Sequence, residues 1–566
     1  MHDNAHRMTI RLFSLVIPLC VLSDHALGQH SVPPGNPLDV LPRTTPAQPG
    51  GARASIEAPA PQPQDVMAQV IVPRQFDIVG VRSLPFEDIA KVFVPLAGQS
   101  VTVAGIVEVA SQVTAKYKEA GYALSFAFIP PQDFRDGVVR VVVVEGYVAH
   151  LEIEGNPGRS EALLREIAAP LLNERPLRTA TFERQTQLMA RLPGVRTLAS
   201  AQLPTTTDGA TTLRLVTKHQ PYAFSLGGEI RQPVSRAIAA LTLNDPFVGG
   251  SQLQMSTLLR PFNKERFLSA AYGQTLNTEG TLARLSLSDY RGVGQPNPAL
   301  AGVDDVTRQR RFDASVQHPW RLTGHESGMV GGGFYVVDYS RTYTAMATGN
   351  QQRETQQIRA LFGQLAWSRT EVDAARSASL MLVHGIDAAG AKAERSNNYG
   401  AALAPDPARL NFVRVAFDAS ERRRITSSGW GAAVAVGGQI SPHILPAPER
   451  ISFGGSRFGR GYQAGEVASD SGLGGSLEIN HSFPASTQWL KQWEPYVLLE
   501  AARTWQRQPG VPDSHLRSAS VGVRFNDSRH YSADIAVSKP LGDPATENPN
   551  RRMRVSLLLS YQLDPL

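Results

Sequence analysis

The chain has 566 residues, 42% hydrophobic and 19% charged, enough apolar material for a large core or a large closed sheet. Its 56 Lys and Arg nearly balance 50 Asp and Glu, leaving +6, and no basic tract of nucleic-acid type stands out, which argues against a nucleic-acid partner. Past residue 30 no apolar run reaches the roughly eighteen residues that a spanning helix needs, so a helical membrane protein is excluded.

At the N-terminus, Arg7 and Arg11 accompany an apolar stretch at 12–22, LFSLVIPLCVL, and Ala26-Leu27-Gly28 offers small residues for cleavage. This order predicts a signal peptide over 1–28 and a mature start near Gln29. The one cysteine, Cys20, lies inside that stretch, so the mature chain needs no disulfide or cysteine–metal chemistry. Residues 29–70 are rich in Pro, Gln and Ala and predict an extended linker with too little apolar content to pack. Within it, only 65–72 is apolar enough to act as a plug segment.

Structure is expected from residue 71. The first unit, 71–147, predicts a strand at 75–79, two helices, then strands at 123–129 and 138–144. The second helix, 103–120, places Ile106, Val109, Ala110, Val113 and Tyr117 on one face, and Gly121 follows as its C-cap. The second unit, 148–218, repeats the order: a strand at 150–153, helices at 160–172 and 179–192, strands at 195–202 and 211–217. Each is a β-α-α-β-β module, a small sheet covered on one face by two helices.

The region 219–566 carries no convincing helix. It carries stretches of about ten residues with period-two alternation, the length and pattern of strands in a membrane barrel. In 553–563, Met553, Val555, Leu557, Leu559, Tyr561 and Leu563 share one face, and Arg554, Ser556, Ser560 and Gln562 the other, with Leu558 the exception. In 531–538, Tyr531, Ala533, Ile535 and Val537 oppose Ser532, Asp534 and Ser538. Sixteen such candidates run from 222–231 to 553–563, among them 310–319, 329–338, 356–369, 473–483 and 493–504. Connections after even strands are short, whereas 291–309, 339–355, 388–409, 441–472 and 539–552 are long. That asymmetry fits short inner turns and long outer loops. The expected fold is therefore an all-β transmembrane barrel of sixteen antiparallel strands behind two small α+β modules.

The longest connection, 441–472, contains Phe453-Gly454-Gly455 and then Gly459-Arg460-Gly461-Tyr462. It is not a phosphate loop, because no Gly-Lys-Ser/Thr follows and no helix begins there. It is not a serine elbow either, since Phe458 stands where the last glycine would be. No metal-spaced cluster appears among the 13 His, and no cofactor or catalytic residue is assigned. A glycine-flanked arginine can fold back into a lumen, where it must find an acid. A solvated surface hairpin is the plainer alternative.

Two β-α-α-β-β modules, sixteen strands and a long sixth outer loop bearing this motif resemble the two-partner secretion (type Vb) transporters of the Omp85 superfamily. The resemblance covers about 71–566, and the modules would then be POTRA domains at 71–147 and 148–218. The family's V-R-G-Y stands here as Gly459-Arg460-Gly461-Tyr462. Its thirteenth-strand aspartate, commonly followed by x-G, is matched by Glu500-Ala501-Ala502, so Glu500 is the expected lumen partner of Arg460. The last residue is Leu566 rather than the common Phe. The resemblance implies a monomeric outer-membrane translocator rather than an enzyme. It would recognise the N-terminal secretion domain of a large exoprotein (TpsA type) in the periplasm and export it unfolded, without ATP. Two other readings stay open: an Omp85-type factor that inserts outer-membrane proteins, and a general porin.

Overall fold

In the first module, two apolar helix faces share one small sheet. In the computed structural model, helix α1 (Phe86–Phe93) buries Ile89 and Phe93, and α2 (Val103–Glu119) buries Val103, Ile106, Ala110, Val113 and Tyr117. Both lie on a three-stranded sheet whose central strand, Val138–Val144, is parallel to Gln75–Val79 and antiparallel to Phe126–Phe128. Thr102 caps α2 by accepting the Gly105 N–H at 3.1 Å. The strand expected at 123–129 is cut to three residues. The chain turns where Ser125 N–H meets the Tyr122 carbonyl, and Leu124 is spent in the core of the second module.

The described residues are 37–41, 53–57, 67–231, 234–261, 264–294, 302–545 and 548–563. The expected signal peptide and much of the linker lie outside them.

Glu145, just past the central strand, gathers the first module. Its carboxylate accepts the backbone N–H of Arg82 (2.8 Å) and Ser83 (2.7 Å), the Ser83 hydroxyl (2.8 Å) and the Tyr117 hydroxyl (2.8 Å). Burial opposes the charge, but these donors outweigh it and hold the carboxyl below the usual glutamate value. A depressed carboxyl stabilises above its unfolded pKa, and that contribution disappears as pH falls through the folded one. Glu145→Gln keeps one acceptor and loses the charge, so it should cost about 1–3 kcal/mol near neutral pH and less in acid. The α-helices among the described residues all lie in the modules, so thermal loss of the helical circular-dichroism signal reads this directly. An unchanged transition at pH 7 would contradict the assignment.

The second module has helices α3 (Glu161–Asn173) and α4 (Thr179–Ala190) over strands Tyr147–Gly155, Val195–Gln202 and Ala210–His219. A fourth strand comes from the linker. Arg53–Glu57 runs parallel to Val195–Gln202, with Ser55 opposite Ser200. The linker's poor apolar content does not prevent this, because edge pairing uses the backbone alone. The module also grips the barrel. Asp245 accepts the Ser160 hydroxyl at 2.8 Å, Arg184 pairs with Glu279 at 2.6 Å, and Arg191 donates to Ser327 at 3.0 Å.

The barrel strands are β1 (Tyr222–Arg231), β2 (Val234–Asn244), β3 (Ser251–Arg260), β4 (Glu265–Thr275), β5 (Leu282–Val293), β6 (Val303–Leu322), β7 (Glu326–Ala345) and β8 (Gln351–Thr370). There follow β9 (Ala374–Gly385), β10 (Val413–Arg424), β11 (Trp430–Ile440), β12 (Ser471–His481), β13 (Gln492–Trp505), β14 (Ser514–Asn526), β15 (Tyr531–Pro540) and β16 (Arg554–Leu563). All sixteen pair antiparallel with their neighbours, and β1 closes on β16, with Phe224 opposite Leu563. Val497, Leu499, Val521, Ile535, Val537, Val555 and Leu559 point outward and exposed, forming an apolar band too continuous for a water-facing surface. Trp320, Trp430 and Trp493 sit exposed at the module end, as aromatic anchors do at a bilayer interface.

Strand number and outward alternation agree with the sequence. Strand length does not. β6, β7 and β8 are twenty residues each and absorb most of the connections expected at 291–309 and 339–355. A spanning strand needs only about 9–11 residues. The surplus continues the ladder on the side away from the modules, with a short strand Lys392–Asn397 added to β8. These extensions are polar on both faces (Asp304, Asp305 and Arg308 on β6; Arg341 on β7; Arg353 and Glu354 on β8), so no alternation announces them.

Candidate functional site: a loop docked in the barrel lumen

The chain between β11 and β12, residues 441–470, folds back into the barrel. Its stem is a small hairpin, Ile451–Phe453 paired with Val467–Ser469. Phe453 is fully buried there with Tyr462, Ala502 and Leu516. Beyond Phe453 the backbone turns through Gly454 and Gly455, at φ +110° and +67°, a region that side chains disfavour. The tip then closes on itself, because Gly455 N–H bonds the carbonyls of Gly459 (3.0 Å) and Tyr462 (3.2 Å).

Arg460 stands at the end of this tip and is held at three points. Its backbone N–H donates to the Glu500 carboxylate on β13 at 2.7 Å. Its carbonyl accepts from the Arg231 guanidinium on β1 at 2.6 Å. Its own guanidinium donates to Asp534 on β15 at 3.1 Å and to the Tyr496 hydroxyl on β13. Gly461 packs against the backbone of Lys539 and Pro540, and the buried Tyr462 hydroxyl accepts the Gly542 N–H at 3.0 Å. The tip therefore bridges β1 and β13–β15, on either side of the β1–β16 seam.

This corrects the expected salt bridge between Arg460 and Glu500. Glu500 does meet Arg460, but it receives the backbone N–H, and its second contact is the Ser518 hydroxyl at 2.8 Å. The guanidinium's ion-pair partner is Asp534. Register explains the difference. Across β14, Glu500 is level with Ser518 and Pro540, whereas Asp534 is level with Arg524 and Glu494. The backbone of Arg460 sits at the first level, and its long side chain reaches toward the modules to the second.

Asp534 belongs to a wider ionic wall. Arg524 on β14 approaches Asp534 at 3.6 Å, pairs with Glu494 at 2.7 Å and bonds Glu478 on β12. Arg422 on β10 meets both glutamates at 3.3 Å. Tyr496 lies between Arg524 and Arg460, 4.1 and 5.5 Å from its ring centroid, and donates its hydroxyl to Asp534 at 2.6 Å. Arg422, Arg524, Glu478 and Glu494 pair with one another on the wall, and Asp534 and Tyr496 add the bonds to the docked loop. Chemically the arrangement offers a polar, breakable latch.

Sequence reasoning brought Phe453, Gly454, Gly455, Gly459, Arg460, Gly461, Tyr462 and Glu500 to this place. It missed Asp534, Tyr496, Arg231 and Arg524 as partners. Alternation had put Asp534 on the polar face of its strand, which was the available signal. Matching levels on strands that are not neighbours needs the register.

The same architecture occurs in known proteins. Residues 71–146 match the family "POTRA domain, ShlB-type", and residues 344–525 match "Haemolysin secretion/activation protein ShlB/FhaC/HecB". The heme/hemopexin transporter protein HuxB of Haemophilus influenzae is 18% identical over 491 residues, covering 84% of each chain. Among solved structures, CdiB from Escherichia coli superposes with a TM-score of 0.62 at 16% identity, covering 89% of this chain and 93% of that one. BamA from Haemophilus ducreyi, lacking POTRA domains 1–3, gives 0.53 at 13% identity, covering 87% and 100%. In its modules, its closed sixteen-stranded barrel and these family matches, the chain is similar to the two-partner secretion transporters of the Omp85 superfamily, the outer-membrane β-barrels that carry a partner protein.

Proposed function

We propose that the modules face the periplasm, capture the N-terminal secretion domain of a large exoprotein, and pass it unfolded through the barrel without ATP. The observation that carries this reading is the loop 441–470, which lies inside the barrel and is tied to its wall by hydrogen bonds and ion pairs that can be exchanged. A passive pore needs no such latch. Docking of the second module onto the turns of the barrel delivers a captured segment directly to the lumen mouth. Backbone pairing at a module edge suits a partner of varied sequence, and the linker strand on Val195–Gln202 is an example of such pairing. A polar wall lets an extended chain slide without sticking.

Deleting 71–147 or 148–218 should abolish export of the partner exoprotein, while the barrel still shows heat-modifiable migration. The barrel closes through its own strands, whereas capture needs the module edges. Continued export by either deletion would overturn the proposal. Export lost together with heat-modifiability would mean that the modules serve barrel assembly instead.

A further inference from the structure

Glu449, in the loop's stem, is a charge with a fully buried side chain and no place in the latch at Arg460. Its carboxylate accepts the Tyr335 hydroxyl from β7 at 2.7 Å and Arg414 Nε–H from β10 at 2.8 Å. Gln439 on β11 donates to the Glu449 carbonyl at 2.8 Å and accepts from Arg414 at 3.2 Å. Two residues earlier, Ala447 N–H donates to Gln356 on β8 at 2.8 Å. Leu445 and Ala447 are buried with Tyr335, Val337 and Ile358 of the wall. At the loop's other root, the fully buried Asp470 accepts Leu445 N–H at 2.8 Å and lies 3.5 Å from Arg450. The stem is thus fixed to β7, β8, β10 and β11. Its β7 contact stands eight strands from the Asp534 strand, half the circumference of the barrel.

We propose that the loop has two independent anchors, and that Glu449–Arg414–Tyr335 is the pivot that stays closed when the Arg460 anchor releases. The loop then opens as a flap, its tip (454–466) swinging about the left-handed pair Gly454 and Gly455 while the stem keeps its wall. The hydrogen bonds of the pivot run to the barrel wall and not to the tip: Glu449 bonds Tyr335, Arg414 and Gln439, whereas Arg460 bonds Asp534. Glu449 acts as a positioning residue: it decides which half of the loop moves. The proposal deepens the secretion reading and rests on it for its purpose.

The test uses the full-length protein purified in detergent, with single cysteines and a membrane-impermeant maleimide as probe. Cys20 lies in the expected signal peptide, so an introduced thiol is free of background after processing. Ser456 in the tip is exposed and Ser452 in the stem is buried. With Arg460→Ala, labelling at Ser456→Cys should quicken severalfold while Ser452→Cys stays protected. With Arg460→Ala and Glu449→Gln together, Ser452→Cys should become severalfold faster too, and bilayer conductance should rise above that of Arg460→Ala. Glu449→Gln alone should leave both sites near the parent rate, because the tip still holds. If Glu449→Gln fails to assemble, Tyr335→Phe takes its place and should act in the same direction more weakly. Stem exposure by Arg460→Ala alone, or no added exposure in the double variant, overturns the pivot. Neither readout involves an exported partner, so their failure is distinct from a failure of the secretion assignment, which the export assay reads.

Discussion

Arg460→Ala should cripple export of the partner while leaving a fully assembled, heat-modifiable barrel. The guanidinium is mostly enclosed and lies against Asp534 and Tyr496, and its removal leaves the Asp534 carboxylate short of a donor in a partly desolvated wall. Breaking a buried pair by deleting one partner costs about 3–5 kcal/mol. Because about 1.4 kcal/mol is a factor of ten, loss of even half that shifts the docked loop strongly toward undocked forms. Asp534→Asn should reproduce the defect, and the double variant should be no worse than either single one, since both remove the same interaction. Arg460→Lys should rescue poorly. Both bonds leave Nη1, and a lysine stem is too short to bring its ammonium to that place between Asp534 and the Tyr496 hydroxyl. Glu500 separates the geometry seen here from a direct Arg460–Glu500 salt bridge. Glu500→Gln keeps an oxygen for the Arg460 N–H and should be mild, whereas Asp534→Asn should be severe. Strictly additive losses for Arg460→Ala and Asp534→Asn, or a Glu500→Gln defect exceeding that of Asp534→Asn, would sink the assignment.

What the sequence reveals about this molecule follows the burial of its strands. β16 and β15 were legible because lipid on one side and lumen on the other force a period of two, which the exposed Val555 and the buried Ser556 obey, Leu558 being the exception. The extensions at 303–309, 339–345 and 351–355 were not, because charged and polar residues stand on both faces there and leave no apolar alternation to read. The loop was legible as a unit, since Gly454, Gly455, Gly459 and Gly461 permit a path that few other residues allow. Its partners were legible only as a list of inward charges. Glu500, Asp534, Glu494 and Glu478 all point into the lumen. Choosing among them depends on strand register and on the reach of an arginine side chain, and neither is written in local sequence. The linker strand Arg53–Glu57 was missed for a related reason. Backbone pairing at a sheet edge leaves little trace in composition.

Gly461→Ala should be nearly as damaging as Arg460→Ala, although it removes no interaction. A Cβ at 461 would lie 2.6 Å from the Pro540 nitrogen and 2.9 Å from the Lys539 carbonyl carbon and Pro540 Cα. Those atoms are backbone of β15, fixed in the ladder through Ser518 opposite Pro540, so the strand cannot yield. The loop must lift instead. Forcing one methyl into a packed site costs about 1–3 kcal/mol. Here the displacement also draws Tyr462 from Gly542 and Arg460 from Asp534, so the loss exceeds the steric cost alone. The mechanism is close approach rather than backbone freedom, because Gly461 is absent from the positive-φ residues. Gly461→Ser should therefore be at least as harmful as Gly461→Ala. Gly363→Ala, with nothing within 4 Å of its added Cβ, should export normally and serve as the control. Export and impermeant-maleimide labelling at Ser456→Cys measure the two sides of the effect: the first should fall while the second rises. A Gly461→Ala protein that exports at the parental rate would show that the tip does not need to lie against β15.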